Sequence, residues 1–336
     1  MTLKVGINGF GRIGRLVARA ILESGRDDIE LAAINDPGGN FFPLLKYDSV
    51  HGRAPFDVIR ESDDWLVLAG KRVHRFRDRD PKNLHWDREG VDIVFECTGK
   101  FNDRQGAQQH IDAGAKKVLI SAPAKDEDLT VVYGVNHDKL RAEHVIVSNA
   151  SCTTNCLAPV AHALHSTIGI ESGFMTTIHA YTGDQNIVDS SHKDPHRARA
   201  AAINMIPTST GAAKAVGKVL PELDGKLDGV SIRVPVPNVS MIDMKFIASK
   251  STTENEVNNA MKEYANGPLK GILAVYDDPC VSGDFNHDPH SAIFNLNGTK
   301  VIDGRLVRVM AWYDNEWGFS CRMLDTALKM HEVGYE

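Results

Sequence analysis

The start of the chain combines a short apolar run, a cluster of glycines and a helical pattern. A strand is predicted over residues 3–8, and it runs directly into the glycines. A helix is predicted next, because apolar side chains recur on one face at helical spacing. These side chains are Ile13, Leu16, Val17, Ala20 and Ile21. A second apolar run, IELAAIND, ends in Asp36, and this order of elements predicts a β-α-β unit.

Strand-like and helical patterns keep alternating through the first half of the chain. The strand-like runs are VDIVFECTG, KKVLISAP, TVVYGVN and HVIVSNA, and QGAQQHIDAGA between the first two has a helical pattern. This alternation predicts a mainly parallel sheet with helices on its faces. The second half instead has longer strand-like runs, FMTTIHAYT, SIRVPVPNVSMIDMKFIAS and RLVRVMAWYD, which indicate a largely antiparallel sheet.

The length of the chain favours two domains. At 336 residues it is about twice the usual size of one domain. We predict an α/β Rossmann domain over residues 1–151 and an α+β catalytic domain over residues 152–315. No Pro/Ser-rich linker or low-complexity tract separates them, so the two domains should be closely joined.

Composition and charge exclude several classes of protein. The chain is 42% hydrophobic and 24% charged, as is ordinary for a soluble globular protein. A net charge of −6 argues against a general nucleic-acid binder, and no run approaches the roughly 20 apolar residues of a membrane span. The first residues lack the pattern of a secretory signal. Five scattered cysteines indicate reduced thiols in a cytoplasmic protein.

The glycine cluster has the spacing of a dinucleotide-binding fingerprint. Gly9, Gly11 and Gly14 form G-x-G-x-x-G between the predicted strand and helix. Asp36 follows at the distance of roughly twenty residues where an acid contacts the adenosine ribose. A tight turn without a ligand is the alternative, and the placement of Asp36 counts against it. Further cofactor contacts, or plain turn residues, are expected at the carboxyl ends of later strands. They are Thr98, Gly99 and Ser121.

Two cysteines, Cys152 and Cys156, occur together in SNASCTTNCLAP. A zinc site would need two further soft ligands, and a redox pair is normally spaced C-x-x-C, so neither fits well. Cys152 lies between a predicted strand and a predicted helix, and a helix N-terminus stabilises a thiolate. We therefore favour Cys152 as a nucleophile with Cys156 as packing, although a buried structural Cys152 stays open.

A thiolate nucleophile requires a base within hydrogen-bond reach. His179 is the candidate, because it ends the strand-like run in GFMTTIHAYTGDQ beside Thr182 and Asp184. A histidine on a strand is also often a structural group, and the local pattern does not decide between the two.

Taken together, these motifs resemble the phosphorylating glyceraldehyde-3-phosphate dehydrogenases over nearly the whole chain. The resemblance is carried by INGFGRIGR, LLKYDSVHGR, SNASCTTNCLAP, TTIHAYT, HRARAAAINMIPTSTGAAKAV, GKLDGVSIRVPVPNVS and WYDNEWGFS. It implies reversible oxidation of glyceraldehyde 3-phosphate with NAD and inorganic phosphate, as in glycolysis. In that chemistry Cys152 forms a thiohemiacetal and then a thioester, and His179 acts as the base.

The resemblance also implies roles for further residues. Arg12 and Ile13 should contact the cofactor pyrophosphate, and Asn315 the nicotinamide carboxamide. Thr182 and Arg233 should hold one phosphate position, with Asp184 among the substrate-binding candidates. A second phosphate position is implied at Ser151, Thr153, Arg199, Thr210 and Gly211. For Arg199 a solvated surface charge is the alternative, and for Arg233 an ion pair on a strand.

At the level of the whole molecule, the resemblance implies a homotetramer. From the cysteine spacing alone, no metal site is expected. The segment over residues 181–206 should cross toward the cofactor site of a neighbouring subunit. The final helix, within residues 316–336, should pack back on the first domain.

Two details bear on the choice of cofactor. A carboxylate at Asp36 normally repels the 2′-phosphate of NADP, which favours NAD. Relatives that accept NADP often have a serine where this chain has Ser191, and a similar Gly38-Gly39 turn, and Arg79 could supply a cation. We therefore keep the hypothesis that NADP is also accepted.

Two other functions remain as alternatives. Erythrose-4-phosphate dehydrogenase is a sister activity that shares the cysteine and histidine motifs, but the intact TSTGAAKAV disfavours it. A non-catalytic nucleotide- or RNA-binding protein is the alternative from another class, and no basic or aromatic-rich region supports it.

Overall fold

Two units make up the chain in the computed structural model, which describes residues 2–39 and 41–335. The first unit contains the chain up to Val131, then His137–Ser151, and finally the chain from Ser320. The second unit contains Val132–Asn136 and Cys152–Phe319.

The first unit is built on a nine-stranded sheet that is parallel over most of its width. Its strand order is β10-β11-β9-β8-β1-β2-β7-β6-β5, and only β7, β6 and β5 pair antiparallel. The strands are β1 (Leu3–Asn8), β2 (Ile29–Asn35), β3 (Tyr47–Asp48), β4 (Gly52–Arg53), β5 (Val58–Arg60), β6 (Trp65–Leu68), β7 (Lys71–Phe76), β8 (Ile93–Glu96), β9 (Lys117–Ile120), β10 (Leu129–Thr130) and β11 (Ile146–Ser148). The β3–β4 pair forms a separate small ribbon. The helices are α1 (Arg12–Glu23), α2 (Phe42–Lys46) and α3 (Arg104–Asp112).

Burial in this sheet follows the sequence pattern. Strands β8 and β9 are buried along their whole length, as expected for central strands of a parallel sheet with both faces covered. The apolar face predicted for α1 is also buried, at Leu16, Val17, Ala20 and Ile21, while Ile13 is half-buried. The predicted Rossmann fold is therefore confirmed.

The second unit is a mixed sheet with most pairs antiparallel. Its order is β13-β14-β12-β15-β19-β17-β16, with β18 paired to β19. Only β12–β14 and β16–β17 are parallel among the described pairs. Its strands are β12 (Ile170–Ala180), β13 (Ile206–Ser209), β14 (Leu227–Val234), β15 (Ser240–Ala248), β16 (Leu273–Tyr276), β17 (Ala292–Asn295), β18 (Lys300–Ile302) and β19 (Leu306–Tyr313). Its helices are α4 (Cys152–Thr167), α5 (Ala212–Val219) and α6 (Glu254–Asn266), and α7 (Trp317–Glu332) runs on into the first unit.

The parallel pairing of β12 with β14 positions the chemistry of this unit. It places His179 in register with Arg233, so that the carboxyl ends of two strands present both side chains together. Helix α4 is buried around most of its circumference and packs on β12, β17 and β19, which brings its first turn to the same edge of the sheet. Across residues 2–39 and 41–335, none of the helices combines the length and the apolar stretch needed to cross a bilayer.

Candidate active site

Cys152 is the first residue of α4 and follows a strained turn. Ala150 has φ of +57°, in the left-handed region, where a side chain costs about 1–2 kcal/mol. Ser148 supports the turn, because its Oγ accepts the N–H of Ala150 at 3.1 Å and donates to the carbonyl of Ala122 at 2.8 Å. Such strain persists only where the surrounding structure over-determines it, which is typical of functional sites.

The thiol of Cys152 is held mainly in its neutral form. Burial raises its pKa above the ordinary value of 9.0, although the charge of Arg233 and hydrogen bonds from Thr153 work in the opposite direction. We expected the start of the helix to favour the thiolate. The N–H groups there do lower the pKa, but the loss of solvent outweighs them. The nucleophile therefore requires a base to take its proton.

His179, at the end of β12, has an unshared electron pair directed toward that thiol. Its Nδ1 lies 2.7 Å from the carbonyl oxygen of Ala180, which can only accept, and 3.1 Å from Nη1 of Arg233, which can only donate. We assign the proton to Nδ1 because the carbonyl contact is the shorter and Nη1 of Arg233 also donates to that same carbonyl. The other ring nitrogen, Nε2, is then the acceptor, and it lies 3.6 Å from Sγ of Cys152. This arrangement pairs a neutral thiol with a neutral imidazole that is oriented to receive its proton.

The imidazole stays neutral across the physiological pH range. Burial, and after it the charge of Arg233, lower the pKa of His179 to about 3, against the opposing hydrogen bond to Ala180. The ring is only 4% exposed, so a positive charge on it would have little solvent to stabilise it. His179 is therefore unprotonated and available as a base at neutral pH.

Arg233 and Thr182 form a cationic position beside His179. Nη1 of Arg233 donates to the Ala180 carbonyl at 3.2 Å and to Oγ1 of Thr182 at 3.4 Å. Nε of Arg233 is buried and has no hydrogen-bond partner. A buried guanidinium N–H without a partner is costly, and an anion such as a phosphate would satisfy it.

Arg197 is close to this group, whereas Arg199 is paired at the surface. The charge of Arg197 lowers the pKa of both His179 and Arg233, and its Nε donates to Oγ1 of Thr208 at 3.1 Å. Arg199 instead donates to Asp189 at 2.7 Å, with its side chain 62% exposed. Arg199 was the predicted residue and Arg197 was not, because an irregular loop has no helical or strand period that shows which of two arginines points inward.

Asp184 is held by an ion pair with Arg197. The carboxylate orients the guanidinium of Arg197 and offsets part of its charge, and the predicted contact of Asp184 with a substrate stays a prediction.

The start of α5 supplies backbone donors. Gly211 is its N-cap and brings no side-chain cap, and no acidic residue lies in the first turn. Thr210 accepts the N–H of Ala212 through its Oγ1 at 3.2 Å. At the start of α4, Ser151 is half-buried and Thr153 is buried. These helix N-termini have the partial positive charge that anions favour.

In the first unit, each of the three fingerprint positions requires a glycine for a different physical reason. Gly9 has φ of +92°, and a Cβ there would lie 2.7 Å from the backbone nitrogen of Thr98. A Cβ on Gly14 would lie 2.1 Å from the carbonyl oxygen of Gly9. At Gly11 no protein atom lies within 4 Å of the Cβ position, so packing does not explain that glycine. Close approach of a dinucleotide pyrophosphate to the backbone would require a glycine there.

Thr98 is fixed by a buried carboxylate. Oε1 of Glu96 accepts the Thr98 N–H at 2.7 Å, and Oε2 accepts from Asn8 Nδ2 at 2.6 Å. His110 lies 3.0 Å from the same Oε2 and receives the Trp86 indole N–H at 3.1 Å on its Nδ1, so it is neutral and donates through Nε2. This network was not predictable from the sequence. Its buried polar side chains lie far apart in the chain, so they leave no local sequence pattern.

The remaining cofactor candidates of the first unit are Ser121 and Gly99, which follow strands, and Arg12, which begins α1. Ser121 follows β9 and donates its N–H to the carbonyl of Glu96 at 3.0 Å, and Gly99 has φ of +70°. Arg12 forms an ion pair with Asp48. The pKa of Asp48 lies below its ordinary value because backbone N–H groups and Arg12 donate to it, although burial alone would raise it.

Asp36 lies directly after β2, in a turn that fixes its carboxylate. Its Oδ1 accepts the N–H of Gly38 at 3.0 Å. The buried Arg75 reaches the carbonyls of Asp36, Gly38 and Gly39, each at 3.4 Å, while Arg79 is exposed. Arg75, which the sequence analysis did not name, is thus the cation packed against this turn.

Asn315, in the second unit, is oriented by Ser240. Its Oδ1 accepts the Ser240 hydroxyl at 2.7 Å, and Ser240 in turn accepts the N–H of Ala180 at 3.0 Å. Ser191 is exposed in the loop that precedes Arg197.

Comparisons with known proteins place these features in one family. A family model described as the NAD binding domain of glyceraldehyde 3-phosphate dehydrogenase matches residues 3–104, and one described as its C-terminal domain matches residues 151–315. The chain belongs to the glyceraldehyde 3-phosphate dehydrogenase family. Three relatives named glyceraldehyde-3-phosphate dehydrogenase are 60% identical in Xanthobacter flavus, 59% in Cereibacter sphaeroides and 55% in Geobacillus stearothermophilus. The alignments cover 99%, 98% and 99% of this chain and 100%, 99% and 100% of those relatives.

Membership of the glyceraldehyde 3-phosphate dehydrogenase family confirms the predicted family and fold class. It also confirms that the protein is an NAD-dependent oxidoreductase. The uncapped start of α1 and the open space at Gly11 fit a dinucleotide pyrophosphate.

Proposed function

We propose that the protein catalyses the reversible, phosphorylating oxidation of D-glyceraldehyde 3-phosphate to 1,3-bisphosphoglycerate, with reduction of NAD. The observation that carries this proposal is the position of His179, whose Nε2 lies 3.6 Å from Sγ of Cys152, beside Arg233, whose buried Nε has no hydrogen-bond partner. Nucleophile, base and anion site thus occur together in one unit. Substrate names on three close relatives support the choice of the triose phosphate.

The first steps follow from the proton positions. Sγ of Cys152 adds to the aldehyde carbon while Nε2 of His179 receives the thiol proton, and returning that proton to the oxygen gives a neutral thiohemiacetal. Nε2 then takes the hydroxyl proton as the C–H bond breaks, which leaves a thioester on Cys152. When bound, NAD supplies the acceptor for the hydride that leaves in this step. The thioester keeps the acyl group activated for transfer.

Phosphate then releases the acyl group from the enzyme. An oxygen of monohydrogen phosphate forms a bond to the thioester carbon, and the proton of that phosphate leaves to solvent. The C–S bond breaks, and His179 returns to the leaving sulfur the proton that it took from the thiohemiacetal hydroxyl. We propose Arg233 and Thr182 for the substrate phosphate. For the attacking phosphate we propose Ser151, Thr153, Thr210 and Gly211, with Arg197 in the place that the resemblance gave to Arg199. Backbone N–H groups at two helix N-termini supply further hydrogen-bond donors. These groups do not ionise, so their ability to donate does not depend on pH.

The residues that we propose for the pyrophosphate and adenosine parts of NAD lie in the first unit. In the first unit, the glycines and the start of α1 would hold the pyrophosphate, with Arg12 and Ile13 beside it, and Asp36 would bind the adenosine ribose. Thr98, Gly99 and Ser121 would line the same site. In the second unit, Asn315 would bind the nicotinamide carboxamide through its Nδ2, because Ser240 already donates to its Oδ1.

Initial rates with NAD and NADP in parallel test this function and the cofactor choice together. With glyceraldehyde 3-phosphate and phosphate, we expect kcat/KM for NAD to exceed that for NADP by more than about a hundredfold, or some 2.7 kcal/mol. The reason is that Asp36, bonded to the N–H of Gly38, cannot turn away from a 2′-phosphate without losing that bond. Asp36→Asn keeps the shape of the side chain and removes its charge, so it should reduce the ratio of kcat/KM for NAD to that for NADP.

The other outcomes of that experiment are equally informative. Comparable rates with both cofactors would support the hypothesis that NADP is accepted, with Arg75 or Arg79 as the cation. Faster turnover of erythrose 4-phosphate than of the triose would favour the sister activity. Turnover that does not depend on added phosphate would contradict the phosphorylating step. No turnover with any aldehyde would favour a non-catalytic nucleotide-binding protein.

We further propose that the protein is a homotetramer. Within the segment over residues 181–206, four large apolar side chains are strongly exposed, and a second copy would cover them. They are Ile187 (84%), Val188 (69%), Ile203 (79%) and Met205 (76%). Light scattering during size-exclusion chromatography should give four times the mass of one chain. A monomer that is fully active would contradict the proposal.

We also propose a cytoplasmic location. All five cysteines are free thiols in the structure, as expected for a reducing compartment. Fractionation of cells with an antibody to the protein would test the location, and recovery outside the cytoplasm would contradict it.

A further inference from the structure

We infer that Glu96 and His110 are positioning residues for NAD, because they hold three strand ends of the first unit in the geometry that binds the cofactor. The inference rests on the proposed function in taking Gly9, Asp36 and Thr98 as cofactor contacts. Both side chains, Glu96 and His110, are 0% exposed, so they act on the cofactor only through other residues.

Three polar side chains occupy the last positions of three adjacent parallel strands. Asn8 ends β1, Asn35 ends β2 and Glu96 ends β8, and the register places Asn8 opposite both of the others. All three are buried. Burial of polar groups is costly unless they are hydrogen-bonded, and ligands of parallel sheets bind outside the carboxyl ends of the strands. The position of this cluster therefore indicates a role at the cofactor site.

The backbone of Asp78 fixes one end of the cluster. Its N–H donates to Oδ1 of Asn35 at 3.1 Å, and its carbonyl accepts from Nδ2 of Asn35 at 2.8 Å. The same Nδ2 donates to Oδ1 of Asn8 at 2.7 Å, which turns Nδ2 of Asn8 toward Oε2 of Glu96 at 2.6 Å. Because a backbone N–H can only donate and a carbonyl can only accept, the orientations of both amides follow.

Trp86 fixes the other end. Its indole N–H, which can only donate, lies 3.1 Å from Nδ1 of His110, so the imidazole proton is on Nε2. Nε2 lies 3.0 Å from Oε2 of Glu96 and 3.3 Å from Nδ2 of Asn8, as expected for two donors that share one acceptor oxygen. The other carboxylate oxygen, Oε1, accepts the N–H of Thr98 at 2.7 Å. Fixed donors therefore reach Glu96 from three directions.

These bonds hold the segments that we propose for the cofactor. Asn8 directly precedes Gly9, and Asn35 directly precedes Asp36. The chain at Gly9 packs against Thr98 so closely that a Cβ on Gly9 would lie 2.7 Å from the Thr98 nitrogen. If one donor to Glu96 is lost, a buried carboxylate oxygen lacks a partner, and the strand ends must shift to restore one. NAD would then have to reorder the site when it binds, which lowers its affinity.

The test titrates NAD into the full-length protein without aldehyde or phosphate. The amide of His110→Asn can accept the Trp86 N–H in place of Nδ1, but it is too short to donate to Glu96. The amide of His110→Gln reaches Glu96 and leaves Trp86 without its acceptor. We expect the Kd of NAD to rise about tenfold for His110→Asn and less than about threefold for His110→Gln. In steady-state kinetics of His110→Asn, KM for NAD should rise by a larger factor than kcat falls.

The same two variants separate positioning from a merely structural role. Each loses one hydrogen bond of the imidazole, so thermal unfolding followed by circular dichroism should show similar losses of stability. Equal affinities for NAD in the two variants, or a wild-type Kd in folded His110→Asn, would overturn the inference.

Glu96→Gln provides a second route to the same answer, because it keeps the size of the side chain. In either orientation its amide N–H₂ faces a group that can only donate, so the Kd of NAD should rise about thirtyfold. An unchanged Kd in this variant would also overturn the inference. Because the titration requires no aldehyde, absence of triose phosphate turnover would contradict the proposed function and leave this result standing.

Discussion

Replacing Cys152 with alanine is expected to remove essentially all dehydrogenase turnover. Without Sγ neither the thiohemiacetal nor the thioester can form, and no other described nucleophile lies against Nε2 of His179. Removal of a covalent nucleophile typically costs about 10⁶-fold in kcat. Initial rates of NAD reduction with glyceraldehyde 3-phosphate and phosphate measure the loss. Binding of NAD, followed by titration, should be retained, because the predicted pyrophosphate site lies in the other unit.

Cys156→Ala is the matched control for that experiment. Cys156 lies one turn further along α4, is fully buried, and has a pKa well above the ordinary value of 9.0 because of burial. The change should lower stability by about 1–2 kcal/mol through loss of packing and leave most of the turnover intact. If Cys152→Ala kept even a hundredth of the wild-type rate, or if Cys156→Ala were the inactive variant, the covalent mechanism would be wrong.

Local patterns in the sequence were sufficient for the fold of the first unit. The β-α-β start was predictable because strand, glycine turn, helix and acid lie within one short stretch, and each has its own period or composition. The apolar face of α1 followed from helical spacing alone. The position of Cys152 at the start of a helix was predictable for the same reason, since the end of one strand pattern and the start of a helical one flank it directly.

Properties that depend on tertiary packing were not predictable in this way. The helix start was expected to favour the thiolate of Cys152, but Cys152 is half-buried and desolvation has the larger effect on its pKa. The pairing of His179 with Arg233 depends on a parallel register between strands separated by a long connection. The hydrogen bonds of the Tyr313 hydroxyl with Thr153 and Thr177 likewise join side chains from three elements.

The loop that contains Arg197 shows a third limit. Arg197 and Arg199 are two residues apart in a loop without a helical or strand period. The sequence alone therefore does not show which of them binds a phosphate. Their roles diverge only through their partners: Thr208 and Asp184 hold Arg197 inward, and Asp189 pairs with Arg199 at the surface. A resemblance to a family narrows the choice to the motif, and the structure then separates the two side chains.

The second large effect is expected for His179→Asn, which should retain slow turnover. Asparagine can still donate to the Ala180 carbonyl, but it cannot accept a proton from the thiol or the thiohemiacetal. Loss of a general base typically costs about 10²- to 10⁴-fold in rate. The substrate and phosphate positions at Arg233 are left in place, so kcat should fall far more than KM rises in steady-state kinetics. His196→Asn, with its ring 65% exposed, is the control and should be fully active.

The same substitution should change the acid stability of the protein, and the sign follows from the depressed pKa of His179. Above pH 6.5 the ring is neutral in both the folded and the unfolded chain, so it adds no pH dependence there. As the pH falls from 6.5 toward about 3, the unfolded ring takes up a proton that the folded ring refuses, and stability is lost. The His179→Asn protein should therefore lose less stability between pH 6.5 and about 3, as measured by circular dichroism during an acid titration. An unchanged acid profile, together with unchanged kcat, would show that His179 is neither buried as a neutral base nor used as one.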